Sequence, residues 1–337
     1  MTMNDRFLKA CRGEKTDKIP VWFMRQAGRL LPSYRELRKK HGLLELTQTP
    51  EIAAEVSMEP VEKLGVDAAI LFADIMLLPM ALGIDLDIVD NVGPVVKNPI
   101  DSMAAIESLK SFDVKNIAYL QETIRILRTK LQVPLIGFSG APFTIASYLI
   151  EGKATRTWTA TKRFMLEKPE AWAKLMTVLS DATIQYLGGQ IDAGAQAVQL
   201  FDSWVGCLSP SDYRKYVLPY VQKIFAGVKD KGVPRIHFAT DTAGMLEDFS
   251  NVDAEVIGLD WRIDIAKGKK IVGAKSVQGN LDPTALLAED SILFGKVDEI
   301  VDQLPSRDGF IFNLGHGILP ETDHEKVKRM VDYIHSK

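Results

Sequence analysis

Short runs of apolar and β-branched residues recur along the chain, separated by longer stretches in which apolar residues lie three and four positions apart. The short runs are typical of buried strands, and the longer spacing is typical of helices. Helical stretches include residues 50–64, 170–193 and 321–335. The pattern predicts eight strands, at residues 20–24, 67–73, 134–139, 195–201, 235–240, 255–261, 276–281 and 309–314.

Strands that alternate with helices favour a parallel sheet. Eight such units in 337 residues predict an α/β protein built as a single-domain (β/α)8 TIM barrel over residues 1–337. The main alternative is a doubly wound open sheet, which is disfavoured because no Gly-x-Gly-x-x-Gly follows any predicted strand. In a barrel the active-site cleft lies at the C-terminal ends of the strands, so the residues that follow the strands are the candidates for function.

Two arginines, Arg25 and Arg29, follow the first predicted strand, with Gly28 between them. The guanidinium group is planar and permanently charged, and it binds carboxylates in a bidentate manner. The pair therefore predicts a docking site for a polyanionic ligand. A surface arginine pair in an ordinary turn is the alternative.

Asp74 follows the second predicted strand and is surrounded by apolar residues. A carboxylate in such surroundings is costly unless cations or hydrogen-bond donors meet it. Two interpretations remain open at this point. Asp74 either caps the next helix or waits for a ligand that carries N–H groups or positive charge.

His316 follows the last predicted strand between Gly315 and Gly317. The flanking glycines are expected to let the backbone approach a ligand and to expose the imidazole ring. His237 lies inside a predicted strand, where a packed histidine is expected, and His335 is expected at the surface.

Tyr148 lies on an apolar helix start, which fits either core packing or function. Ser203 follows the fourth predicted strand directly after Asp202, but outside any Gly-x-Ser-x-Gly motif, so a serine hydrolase is disfavoured.

Charge and composition narrow the classes of partner and location. The net charge of −3 disfavours a nucleic-acid or anionic-membrane partner. The two cysteines, Cys11 and Cys207, cannot form a disulfide framework, and no His-x-His or His-Glu-x-x-His motif suggests a metal site. The N-terminus is polar, and the longest apolar stretch, residues 68–82, is too short to span a bilayer. We expect a cytoplasmic protein.

Seven motifs in order along the chain resemble the uroporphyrinogen decarboxylase family. They are PVWFMRQAGR at 20–29, VDAAILFADI at 66–75, GFSGAPFT at 137–144 with Tyr148 close behind, FDSWVG at 201–206, GLDW at 258–261, VQGNLDP at 277–283 and FNLGHG at 312–317. Family members often have serine where this chain has Ala73. That departure leaves the neighbouring aspartate in place.

The resemblance implies a homodimeric enzyme that decarboxylates the four acetate side chains of uroporphyrinogen III to methyl groups, using no cofactor and no metal. Residue-by-residue matching implies catalytic roles for Asp74, Arg25, Tyr148 and His316. It implies substrate-binding roles for the eight positions Arg25, Arg29, Phe72, Asp74, Phe138, Tyr148, Ser203 and His316.

Three other functions remain open from the sequence. One is a zinc-dependent methyltransferase of the same barrel superfamily, which the lack of a cysteine two residues after His237 disfavours. The second is a non-catalytic tetrapyrrole-binding protein, which would keep the arginines and the apolar cleft. The third is a barrel isomerase acting on phosphates.

Overall fold

The computed structural model describes residues 3–89 and 92–337, which contain sixteen α-helices and nine β-strands. The strands are β1 (Ala69–Ile70), β2 (Leu86–Val89), β3 (Gly93–Val96), β4 (Leu135–Gly140), β5 (Ala197–Phe201), β6 (Arg235–Phe238), β7 (Val256–Gly258), β8 (Ser276–Leu281) and β9 (Phe310–Leu314). The helices are α1 (Arg6–Cys11), α2 (Pro32–Lys40), α3 (Leu43–Gln48), α4 (Pro50–Leu64), α5 (Leu77–Ala81), α6 (Met103–Glu107), α7 (Ala118–Lys130), α8 (Pro142–Glu151), α9 (Thr159–Glu167), α10 (Pro169–Ala193), α11 (Pro210–Tyr216), α12 (Leu218–Gly227), α13 (Leu246–Phe249), α14 (Ile265–Val272), α15 (Asp290–Val301) and α16 (His324–His335).

A curled parallel sheet of seven strands forms the centre of the fold, in the order β1-β4-β5-β6-β7-β8-β9. Every neighbouring pair is parallel, and helices follow the strands along the chain. Strands β4, β6, β7, β8 and β9 are buried along their full length, as expected when helices cover a parallel sheet. Seven of the eight predicted strands are therefore present, although β1 is only two residues long.

The remaining predicted strand, the first in the chain (residues 20–24), forms only a single parallel bridge, in which Val21 pairs with Phe312. Its backbone also accepts a hydrogen bond from the Asp67 amide at the Val21 oxygen, 2.7 Å away. The Val21 amide, however, donates to the Asp67 carboxylate at 2.8 Å. A side chain thus takes the place of a backbone carbonyl, and the ladder toward β1 is interrupted.

The antiparallel pair β2 and β3 lies outside the main sheet, with Leu86 opposite Val96 and Val89 opposite Gly93. This hairpin is not among the predicted strands. Its strands are four residues long, and Asp87, Gly93 and Pro94 interrupt their apolar residues, so the apolar signal is weak.

Polar side chains cross the interior of the sheet and bond to one another. The Trp22 indole donates to Gln278 Oε1 at 2.8 Å, and Gln278 Nε2 donates to Gln199 Oε1 at 3.0 Å. All three residues are buried. These bonds join residues 20–24 to β8 and β5 and satisfy polar groups that burial would otherwise penalise.

His335, predicted at the surface, is instead part of an anchored cluster at the N-terminal end of β1. Its Nε2 atom lies 2.7 Å from the carboxylate of buried Asp67, and its side chain is only 15% exposed. The cluster ties the last turn of α16 to the chain segment before β1. No helix within the described ranges is both long enough and apolar enough to cross a membrane.

Candidate active site

A cavity of about 530 Å³ opens at the C-terminal ends of the strands. Its volume falls within the usual range for small-molecule sites. All eight residues that the sequence singled out for binding or catalysis line it: Arg25, Arg29, Phe72, Asp74, Phe138, Tyr148, Ser203 and His316. Residues separated by nearly 300 positions in the chain are thereby brought into one wall.

Asp74 lies four residues after β1 in the wall of this cavity, where it is half-buried. Its Oδ1 atom accepts a hydrogen bond from the Met76 amide at 2.8 Å, so it does organise the turn that leads into α5. Its Oδ2 atom has no hydrogen-bond donor among the described residues. Burial raises the pKa of Asp74, opposed by the Met76 bond and the charge of Arg25. Asp74 therefore bonds within the turn before α5 but is not the N-cap residue of that helix, which is Met76. Ligand binding by its remaining acceptor stays a prediction.

Arg25 and Arg29 are exposed, and both side chains line the cavity. Within residues 3–89 and 92–337, neither guanidinium forms an ion pair or a hydrogen bond. Arg25 has a positive φ of 65°, a conformation that is uncommon for a residue with a side chain. Two cations at the edge of a cavity without protein partners are available to an anionic ligand.

His316 is half-buried beside these arginines. Its Nδ1 atom accepts a hydrogen bond from the Gly317 amide at 2.6 Å, so in the neutral ring the proton is on Nε2. Burial, together with the charges of Arg25 and Arg262, lowers the pKa of His316 to about 4. At neutral pH the ring is an uncharged donor rather than a cation.

The glycines beside His316 leave room for neighbouring side chains. A Cβ atom at Gly317 would lie 2.7 Å from Cγ of Arg25, and one at Gly315 would lie 2.7 Å from the Trp261 ring. The space that a side chain would need at these glycines is taken by Arg25 and Trp261, while Gly317 itself lines the cavity. Close approach of the Gly317 backbone to a ligand stays a prediction. Gly317 makes room for the stem of Arg25.

Tyr148 projects from α8, and its ring packs against Trp204 with the centroids 3.9 Å apart. Burial and the negative charge of Asp74 raise the pKa of Tyr148 to about 12. The hydroxyl therefore stays protonated and can donate. Ser203 lies beside Trp204 in the chain and is half-buried in the cavity wall, where its backbone carbonyl accepts a bond from Thr240.

No group of three or more His, Cys, Asp and Glu side chains is arranged to hold a metal ion in the described part of the chain. His237 is fully buried, and its ring stacks on the Phe249 ring with the centroids 3.8 Å apart, which confirms the prediction of a packed histidine. Burial lowers its pKa to about 3. The residues here do not provide the donor set that a zinc methyltransferase would require.

Comparison with known proteins agrees with the motifs. The family model for uroporphyrinogen decarboxylase (URO-D) matches residues 2–337. The chain belongs to the uroporphyrinogen decarboxylase family. A uroporphyrinogen decarboxylase from Carboxydothermus hydrogenoformans is 50% identical over 337 residues, covering 99% of this chain and 96% of the relative. One from Bacillus subtilis is 48% identical over 336 residues, covering 99% and 95%.

Solved structures support the fold of this uroporphyrinogen decarboxylase family member. A methyltransferase from Methanosarcina mazei superposes with a TM-score of 0.81 at 22% identity, covering 100% of this chain and 99% of the other. A putative vitamin-B12 independent methionine synthase from Listeria monocytogenes gives a TM-score of 0.58 at 12% identity, covering 96% and 97%. At such identities the likeness concerns the fold and not the chemistry.

Several cavity residues of this family member escaped the sequence analysis. Phe201 and Phe238, at the ends of β5 and β6, pack edge to face with ring centroids 5.9 Å apart, and Phe201 also meets Phe138 at 5.5 Å. The hairpin contributes Ile88 and Pro94. Phe201 is the last residue of one predicted strand, and Phe238 lies two residues before the end of another. The rule that chemistry lies at strand ends could have identified them if it had been extended to apolar residues near those ends.

Proposed function

We propose that this protein removes the carboxyl groups from the four acetate side chains of uroporphyrinogen III, giving coproporphyrinogen III and carbon dioxide, a step of porphyrin and heme biosynthesis. Membership of the uroporphyrinogen decarboxylase family supports this activity. The observation that carries the proposal is a cavity with two arginines at its edge and one carboxylate in its wall, where neither guanidinium nor the Oδ2 atom of Asp74 bonds to a residue that the structure describes.

The charged groups, N–H donors and rings of the substrate each have a complementary residue in the wall of the cavity. Uroporphyrinogen carries eight carboxylates around its edge and four pyrrole N–H groups at its centre. Arg25 and Arg29 would bind carboxylates by charge-assisted hydrogen bonds. The Oδ2 atom of Asp74 would accept the converging N–H groups, while the phenylalanine rings around it pack on the pyrroles.

Neutral donors complete the proposed site. His316 would donate from Nε2, because its low pKa keeps the ring uncharged at neutral pH. Tyr148 would donate its hydroxyl proton for the corresponding reason, a high pKa. Ser203 offers a hydroxyl that bonds to no described residue.

In the proposed mechanism, the pyrrole is protonated at the ring carbon next to the one that bears the acetate. The cationic ring then accepts the electron pair of the breaking bond between the methylene and the carboxylate, and carbon dioxide leaves. A second proton adds to the methylene carbon and forms the methyl group, and the ring carbon loses the first proton. Asp74 would stabilise the cationic ring electrostatically in a site that excludes much of the water.

The ring thus acts as its own electron sink, the role that a cofactor fills in many other decarboxylations. For this reason we propose that the reaction uses no cofactor and no metal. Turnover should then survive treatment with a chelator. Loss of activity that one added metal restores would contradict this point.

We further propose that residues 20–24 close the curled sheet as an eighth strand, completing a single-domain (β/α)8 barrel. The bridge of Val21 to Phe312 on one side and the bond of the Asp67 amide to Val21 on the other support this closure. A homodimer and a cytoplasmic location stay predictions from the sequence. Light scattering that gives a mass near the 37.4 kDa of one chain would contradict the dimer.

The experiment that tests the activity is anaerobic incubation with uroporphyrinogen III, followed by oxidation and chromatographic counting of carboxyl groups. Products with seven, six, five and finally four carboxyl groups are expected. A protein that retains the macrocycle at eight carboxyl groups would instead be the tetrapyrrole-binding protein that the sequence left open.

A further inference from the structure

Helix α8, which carries Tyr148, begins without a capping side chain of its own. Its N-cap position is Ala141, which offers no side-chain acceptor, and its first residue is Pro142. The carboxylate of Asp202 takes the place of the missing cap from the end of β5. Its Oδ1 atom accepts a hydrogen bond from the Thr144 hydroxyl at 2.9 Å, and the carboxylate also interacts with the Thr144 backbone.

The Thr144 hydroxyl makes a second bond that returns to the β5 segment. It accepts from the Trp204 amide at 3.3 Å while it donates to Asp202. The Thr144 hydroxyl therefore bonds to Asp202 and to Trp204, the residues before and after Ser203, and connects both to the first turn of α8. The Ala141 amide adds a bond to the Phe201 carbonyl at 2.8 Å.

Tyr148 lies on the same face of α8 as Thr144, because residues four apart in a helix are stacked one turn above the other. Its ring rests on Trp204, with the centroids 3.9 Å apart. Two contacts therefore fix the position of Tyr148 relative to Ser203. One is the pair of hydrogen bonds of Thr144, and the other is the packing of the Tyr148 ring on Trp204.

Placing a buried carboxylate such as Asp202 at the start of α8 lowers the stability of the fold. It is fully buried, and its Oδ2 atom has no hydrogen-bond partner in the described structure. The Tyr213 hydroxyl also has no hydrogen-bond partner among the described residues, and burial, together with the charge of Asp202, raises the pKa of that tyrosine. A buried carboxylate oxygen without a donor costs stability. Its presence beside the cavity fits a role other than holding the fold.

We propose that Thr144, held by Asp202, is a positioning residue that orients the Tyr148 hydroxyl for the substrate. The proposal rests on the assignment of Tyr148 to the active site made above. It predicts that the Thr144 hydroxyl matters for turnover only as long as Tyr148 has its own hydroxyl to position.

The test is a double-mutant cycle that combines Thr144→Val with Tyr148→Phe. Thr144→Val keeps the shape of the side chain but removes the hydroxyl. In the parent protein it should lower kcat about tenfold, which lies within the usual range of coupling between residues in one network. In the Tyr148→Phe background the same change should lower kcat less than about twofold. Thr144→Ser, which keeps the hydroxyl, should retain most of the parent kcat.

Thr123→Val is the matched control. Thr123 is a fully buried helix threonine whose hydroxyl bonds to the Tyr119 carbonyl at 2.9 Å, and it does not line the cavity. It should leave kcat unchanged in both backgrounds. All variants are compared per folded molecule. If Thr144→Val does not fold, Thr144→Ala removes the same hydroxyl without added bulk and goes through the same cycle.

Two outcomes would overturn the positioning role alone. One is a Thr144→Val effect of equal size in both backgrounds, and the other is normal kcat for Thr144→Val while Tyr148→Phe is impaired. Normal turnover of Tyr148→Phe would instead remove Tyr148 from the site and this proposal with it, while leaving the decarboxylase activity itself intact.

Discussion

Asp67 and Asp74 flank the same short strand, β1, and meet opposite surroundings. Asp67 precedes the strand and is bonded by four groups from distant parts of the chain, the side chains of Asn4, Arg6 and His335 and the amide of Val21. Asp74 follows the strand, and among the described residues only the amide of Met76, two residues on, bonds to it. One carboxylate is fully satisfied by the protein, and the other keeps an acceptor for something else.

The electrostatics follow the hydrogen bonds. Burial raises the pKa of Asp67, but the bonds from His335, Val21 and Arg6 outweigh it, and the net pKa is lowered. Burial likewise raises the pKa of Asp74, and there the Met76 bond and the charge of Arg25 do not outweigh it. An aspartate thus stabilises the fold at one end of the strand, whereas the aspartate at the other end is left with an acceptor that a ligand can use. In barrels of parallel strands, residues at the N-terminal ends contribute to stability and residues at the C-terminal ends to catalysis, and the two ends of β1 follow the same division.

The largest effect should come from Asp74→Asn, which keeps the shape of the side chain but removes the charge. Its amide oxygen can still accept the Met76 bond, so the turn into α5 should survive. Loss of one preorganised electrostatic group typically costs a factor of about 10²–10³ in kcat. Steady-state kinetics under anaerobic conditions measure this.

Asp74→Glu sharpens the same prediction, because it keeps the charge and moves it by about one methylene. Displacement by about an ångström can cost on the order of a hundredfold, so this variant should be partly active. Full activity of folded Asp74→Asn would reduce Asp74 to a turn residue.

The next largest effect concerns the unpaired cations. Arg25→Ala and Arg29→Ala should each lower kcat/KM by roughly tenfold to 150-fold, since a lost charge-assisted hydrogen bond costs about 1.5–3 kcal/mol. Arg25→Lys should recover only part of this loss, because lysine lacks the planar fork. Normal kcat/KM in both alanine variants would remove the arginines from the site.

Asp67→Asn should act on stability and not on turnover. We expect the free energy of unfolding to fall by about 2–3 kcal/mol, the cost of weakening hydrogen bonds between charged partners. Chemical denaturation measures this, and kcat per folded molecule should stay near that of the parent.

The pH dependence of this loss has a definite sign. Because folding lowers the pKa of Asp67, its ionised form stabilises the parent fully above the ordinary value of 3.8, and the stabilisation disappears as pH falls below that value. The stability difference between the parent and Asp67→Asn should therefore narrow on acidification. A difference that is constant or grows at low pH would contradict the proposed bonding of Asp67.

The smallest effect is expected from Gly317→Ala. The added Cβ would lie 2.7 Å from Cγ of Arg25, so the arginine must shift. We expect kcat/KM to fall about tenfold or less, with no further loss when Arg25→Ala is already present. Additive effects of the two changes would show that Gly317 acts independently of Arg25.

The regular part of the fold and the membership of the cavity could be predicted from the sequence. The run at residues 309–314 contains Phe310, Ile311, Phe312 and Leu314, so a strand forms there with little ambiguity. Polar residues directly after strands predicted the cavity wall, because parallel strands bring their carboxyl ends to one edge. Arg25 and His316 come together for that reason.

What could not be predicted depends on side chains that reach across the chain. The Asp67 carboxylate accepts the hydrogen bond from the Val21 amide, and no local pattern indicates that this bond will interrupt the predicted strand at residues 20–24. His335 carries no periodic signal of burial, since its partner Asp67 is 268 positions away. Likewise, a glycine beside a histidine does not reveal that Arg25 fills its space.

The most direct test of the account measures Asp74→Asn and Asp67→Asn side by side, recording for each the anaerobic turnover of uroporphyrinogen III per folded molecule and the free energy of unfolding. The account predicts a crossed result. Asp74→Asn should lose turnover by about 10²–10³ with nearly parental stability, whereas Asp67→Asn should lose about 2–3 kcal/mol of stability with nearly parental turnover. If Asp74→Asn mainly unfolds the protein and its folded fraction stays fully active, the assignment of Asp74 to the reaction is contradicted.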